Sequence, residues 1–151
     1  MPRRGTPREN AATFPPSMMP KYPGVRGGAP ALTTQKDDML LEKLEIGAIE
    51  PEITRPEPET LVSGDPLHTT WNLEDDAGLY CGIWTSTPGK WRVTMTEWEY
   101  CRIHEGRAVI EGDDGSRLEV GAGDSFVMRS GFTGTWEVLE TIRKDYVILY
   151  R

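Results

Sequence analysis

Histidine and cysteine are scarce in this chain, with two of each among 151 residues. Two cysteines, Cys81 and Cys101, cannot build a disulfide framework, and no C-x-x-C is present. They read as buried thiols of a reducing compartment, so the expected location is the cytoplasm. No apolar run approaches the length of a membrane span, and the first residues lack the hydrophobic core of a secretory leader, so no membrane partner is expected. Basic charge is missing where a nucleic-acid face would need it. Residues 1–35 hold five Lys or Arg against one acid, whereas 36–151 hold 12 basic and 23 acidic residues; +4 and −11 sum to the net −7. Phosphate binding needs a basic face, so nucleic acid is not an expected partner. Two catalytic devices are absent as well. Neither cysteine has a histidine spaced as its base, and no serine sits on a recognisable elbow. Gly121-Ala-Gly-Asp124 is a strand turn with no helix after it to bind phosphate.

What is present divides into three parts. Residues 1–35 contain seven of the 12 prolines, at 2, 7, 15, 16, 20, 23 and 30. Fixed φ angles and missing N–H groups oppose helix and central strand, which predicts an extended N-terminal arm without regular structure. Residues 36–60 form a second part. Asp37 or Asp38 can cap a short helix to Ile46, with Leu40, Leu41 and Leu44 on one face and Gly47 as its stop; a strand is the alternative. Residues 50–59, with three prolines and four acids, read as an exposed linker.

From residue 61 onward the pattern is that of a sheet. Leu79, Cys81 and Ile83 share one face of a strand, and Trp91, Val93 and Met95 share one face of the next, with Ser86-Thr-Pro-Gly89 as the turn between. Glu99, Cys101 and Ile103 lie opposite Tyr100, Arg102 and His104. Residues 107–111 and 117–120 pair across Gly112-Asp-Asp-Gly115, a hairpin signal. Strands over 125–129, 135–140 and 143–150 complete the set. Glu74-Asp75-Asp76 lacks the spacing of a calcium loop and reads as a polar turn. Many short strands at close spacing predict an all-β, single-domain antiparallel barrel over 61–151.

The spacing resembles the cupin superfamily, a jelly-roll β-barrel. Glu99, six residues and Gly106 fit the end of its first motif, and Gly123 with Gly131 fit its second. The run Gly131-Phe-Thr-Gly-Thr-Trp-Glu-Val, the downstream Arg143-Lys-Asp-Tyr146 and Gly82-Ile-Trp-Thr-Ser-Thr-Pro-Gly-Lys-Trp91 resemble the subgroup typified by ureidoglycine aminohydrolase. That resemblance implies a metal-dependent enzyme acting on ureides or other nitrogen-rich small molecules. The sequence departs from it at the ligands. The His-x-His positions of the first motif hold Arg92 and Thr94, or Val93 and Met95; the second-motif His falls at Gly134 and its Pro at Arg129. Glu99 alone holds no first-row metal tightly. His104 lies on the opposite face and His68 precedes the barrel strands, so both read as surface or hydrogen-bonded histidines.

The expectation that follows is a small polar metabolite bound in the barrel, with no histidine-based metal site, no cofactor and a homodimeric assembly. The aminohydrolase-like, metal-dependent enzyme is the alternative. An inward Glu99 needs a cation, and Arg92, Arg129 and Lys144 are available. Their simplest use is a structural ion pair. The functional use is a pocket in which Glu99 is the acid/base and Arg92, Arg129 and Lys144 bind substrate, between Trp84 and Trp136.

Overall fold

Strict alternation of large apolar residues with polar ones lets each strand bury one face and wet the other. The computed structural model describes residues 39–150, so the arm of 1–35 lies outside the described residues. Nine strands follow in order: β1 Glu52–Thr54, β2 Leu61–Gly64, β3 His68–Asp76, β4 Leu79–Ser86, β5 Gly89–Thr94, β6 Trp98–Gly112, β7 Arg117–Gly121, β8 Ser125–Met128 and β9 Thr133–Leu149. Every ladder is antiparallel.

β6 and β9 pair with each other along nearly their whole length, from Trp98↔Leu149 to Gly112↔Gly134. They bend together, so each serves two half-sheets. Their open ends carry β8 beside β6, and β4, β3 and β1 beside β9. Their hairpin ends carry β7 beside β6, and β5 and β2 beside β9. The bend falls at register shifts between Ile103 and Ala108. Gly106 sits there at φ +85, where a Cβ would strike the Thr141 and Glu140 carbonyl oxygens.

The core between the half-sheets is built on Trp84, Trp91 and Trp136, all fully buried. Trp91 and Trp136 are cross-strand partners with rings stacked at 6.4 Å. Each indole removes roughly 150–250 Å² from water, of order 4–6 kcal/mol at about 25 cal/mol/Å² as an upper value. The strand of Leu79 keeps its predicted alternation, but the inward face is Tyr80, Gly82, Trp84 and Ser86; Cys81 is half-buried rather than core.

Three expectations are corrected. No helix forms over residues 39–45, and only a 3-10 turn occupies Ile46–Ala48. Leu40 and Leu41 are exposed, so an apolar helical face would have nothing to cover. The acidic segment of 50–59 contains β1, paired with β3 through Ile53↔Thr69. Glu74-Asp75-Asp76 belongs to β3, and the turn is Ala77-Gly78, both at positive φ as a two-residue hairpin of this kind requires.

Candidate functional site

The inward stripe of β6 is polar where a barrel interior would ordinarily be apolar. Glu99 and Cys101 are both fully buried, and Ile103 continues their row. Lys144 on β9 pairs with Ile103 on one side and with Trp84 of β4 on the other. This register aims a fully buried lysine diagonally at the two groups beside Ile103. Its Nζ donates to Glu99 Oε1 at 2.8 Å and to Cys101 Sγ at 3.3 Å, and the Cys101 thiol lies 3.3 Å from the same carboxylate oxygen. Trp84 and Trp136 present their rings to the ammonium, each with its centroid 4.8 Å from Nζ.

Burial acts to lower the Lys144 pKa, while attraction to the Cys101 sulfur and the Glu99 carboxylate, with hydrogen bonds to both, acts to raise it. The attractions prevail, because the partners are in direct contact inside a low-dielectric wall, and the ammonium stands above the usual lysine range. Tyr146, two residues along β9, donates its hydroxyl to Asn72 Oδ1 at 2.8 Å. Burial, and then the Glu99 charge, push its pKa up. Gly82 faces Tyr146 across the ladder, and a Cβ there would stand 2.8 Å from the tyrosine oxygen.

A divalent metal does not fit this interior. The first-motif positions Val93 and Met95 are inward but apolar. At the second-motif position, Gly134, any Cβ would collide with the Glu111 carbonyl oxygen, so a histidine has no room. The Lys144 ammonium already takes Glu99 Oε1. Among the described residues, no three His, Cys, Asp or Glu side chains gather as a ligand set.

The residues singled out in the sequence are not all together. Glu99, Lys144, Trp84 and Trp136 meet in one buried cluster. Arg92 does not join them: it alternates with inward Trp91 and Val93, so it points outward and pairs with Asp113 at 2.6 Å. Arg129, just past β8, is exposed at one end of the barrel. His68 is neither at the surface nor remote. It is fully buried, its ring 5.0 Å from Trp84 and 4.6 Å from Trp91. His104 is outside, bonded to Asp145 at 2.7 Å.

Glu97 was not singled out, yet it is only 2% exposed. It continues the inward stripe of Glu99, Cys101 and Ile103 by one step of two residues. That extension was the available signal. Its Oε2 accepts from the Thr96 N–H at 3.2 Å and the Thr96 hydroxyl at 3.0 Å. Glu97 lines a recess of about 410 Å³ together with Thr96, Trp98, Arg129, Ser130 and Leu149.

A bent antiparallel jelly roll with Glu99 and Gly106 on its long central strand has the architecture of a cupin barrel. The family model described as the EutQ-like cupin domain matches residues 73–146. A protein of unknown function of the DUF861 family from Pseudomonas syringae pv. tomato is 29% identical, with a TM-score of 0.62 over 70% of this chain. The match spans 46% of that protein, so this chain corresponds to about half its length. The EutQ protein of Clostridium difficile (20% identity, TM-score 0.51, 56% of this chain and 63% of that one) shares the fold. So does a cupin superfamily protein of Desulfitobacterium hafniense (10% identity, TM-score 0.50, 56% and 78%). No curated protein matches. No helix among the described residues is long and apolar enough to cross a membrane.

Proposed function

We propose that this cupin is a small-molecule binding protein, taking a small polar metabolite at the end of the barrel where the recess meets the Glu97–Glu99 stripe. The observation that carries the reading is that recess. It is about 410 Å³, within the size range of small-ligand sites, and both a nearly buried carboxylate and an exposed guanidinium line it. Arg129 contacts the ligand directly. Glu99, Lys144, Trp84 and Trp136 are fully buried and do not line the recess; Glu99 follows Glu97 by two residues on the same inward face. Arg92 takes no part, since it is paired with Asp113 outside the barrel. The ureide preference of the aminohydrolase-like reading rests on the sequence resemblance alone. The working unit is a homodimer, a reading supported by exposed Leu61 and Val62 on the edge strand β2.

The test is a thermal-shift screen followed by calorimetric titration, with a panel of ureido acids (hydantoate first), amino acids, hydroxy acids and neutral amides. A saturable rise in melting temperature with one of these classes is expected. A flat response to the whole panel would sink the binding reading. Ammonia release from hydantoate that depends on added Mn²⁺ and is lost in Glu99→Gln would instead establish the metal-dependent enzyme.

A further inference from the structure

Lys144, Cys101 and Glu99 form a closed triangle that ligand binding at the recess does not use. Lys144 Nζ stands 3.3 Å from Cys101 Sγ, and both atoms touch the same oxygen, Glu99 Oε1, at 2.8 and 3.3 Å. All three side chains are fully buried. The thiol donates to the carboxylate and accepts from the ammonium, and electron-rich sulfur is what oxidants attack. The ordinary product of thiol oxidation is closed to Cys101. Cys81, the other cysteine of the chain, lies on the opposite face of β4 from the inward Tyr80, Gly82 and Trp84, so no disulfide joins the two. Burial likewise keeps thiols of other molecules away. The group in contact with the sulfur is the Lys144 amine.

We propose that Cys101 and Lys144 are a site of covalent oxidative modification, joined by dioxygen into an Nζ–O–Sγ bridge. The ammonium, the thiol, the Glu99 carboxylate and one dioxygen give the bridge, a protonated Glu99 and one water. Two N–H bonds, the S–H bond and the O–O bond break, and one N–O and one S–O bond form. Sulfur and nitrogen each give up two electrons, which reduce both oxygen atoms. One ammonium proton passes to Glu99 Oε1; the other, with the thiol hydrogen, leaves in the water. The product suits its surroundings, because a weakly basic nitrogen beside a neutral acid leaves no isolated charge inside. An inserted oxygen also suits the 3.3 Å gap, whereas a direct sulfur–nitrogen bond would draw the side chains much further together. Dioxygen is small and apolar, and reaches such a site through brief local openings. The linked residues are 43 apart in sequence and tie β6 to β9, the strands that serve both half-sheets. The proposal is independent of what the recess binds.

The experiment is peptide mass spectrometry of the full chain, incubated in air-saturated buffer or without oxygen and digested without reductant. Expected in air alone is a cross-linked pair of peptides carrying Cys101 and Lys144, heavier than their sum by one oxygen less two hydrogens. Isotopically heavy dioxygen should label that oxygen, and dithiothreitol should part the two peptides. The aerated chain is expected to unfold at higher urea than the anaerobic one, a shift that dithiothreitol removes. Cys101→Ser, which keeps a small group in the triangle, should abolish both the cross-link and the shift. Its melting curve is recorded beside it, and the wild-type digest decides the matter if the variant does not fold. No cross-link after aeration, a cross-link without the oxygen, or Cys101 oxidised to sulfinic acid with Lys144 unchanged would each overturn the proposal and leave the triangle a structural ion pair.

Discussion

At the scale of single residues, Lys144 has more at stake than any other side chain. It is fully buried and answers a fully buried carboxylate at 2.8 Å. Lys144→Met keeps much of the volume but leaves Glu99 uncompensated, and is expected to cost about 3–5 kcal/mol in urea denaturation. Adding Glu99→Gln to that variant should return much of the loss, because no isolated charge then remains inside. Additive losses in the double variant would show that the pair is not coupled. The same lysine, with Tyr146, sets the behaviour in alkali. Both have pKa values raised in the folded state above 10.5 and 10.0 respectively. The folded protein therefore binds these protons more tightly than the unfolded chain does. Their stabilisation is complete below pH about 10 and is lost as pH rises through the folded values. Urea midpoints should be level from about pH 8 to 10 as far as these two groups are concerned, and fall beyond that. A midpoint that climbs above pH 10 would contradict the raised values.

At the scale of elements, the bend in β6 and β9 decides whether the long strands can serve both half-sheets. Gly106→Ala puts a side chain at φ +85 and against two carbonyl oxygens, and is expected to destabilise by about 1–3 kcal/mol in the same assay. A neutral change would mean that the bend relaxes without the glycine. Period-2 patterning made most of the sheet legible: the Gly112–Gly115 hairpin is where it was expected, and so are the inward faces of β5 and of the first half of β6. The continuity of β6 and β9 was not legible, because glycines and charged residues near the bend look like turns when only neighbours in sequence are considered. β1 was hidden by the prolines that flank it, Pro51 on one side and Pro56 and Pro58 on the other, which leave room for only three residues of strand between them. In the site, an inward Glu99 in need of a cation followed from alternation and from the cost of an unpaired buried charge, whereas the choice of Lys144 among Arg92, Arg129 and Lys144 came from the structure. Arg92 could have been excluded by the same alternation, since Trp91 and Val93 already claimed the inward face. His68 escaped because nothing local showed that its strand folds against Trp84 and Trp91.

At the scale of the whole molecule, the exposed edge of β2 and the exposed Leu118 and Leu139 are surfaces a second copy can cover. The proposed homodimer predicts a light-scattering mass of twice 16.9 kDa at micromolar concentration. A monomer mass across the accessible range would rule the assembly out. The shared pair β6 and β9 has a further consequence, for the order in which the barrel is assembled. Residue 98 meets 149 and residue 112 meets 134, so every half-sheet waits on Thr133–Leu149. On the ribosome, β1 to β5 emerge with their central neighbour still unmade, and their apolar faces have nothing to close upon. Within the β6–β9 ladder the Gly112↔Gly134 end closes the shortest loop, so that ladder is expected to start there and zip outward toward Trp98 and Leu149. A nascent chain stalled before residue 133 should therefore remain protease-sensitive throughout, however many of its strands have already been synthesised.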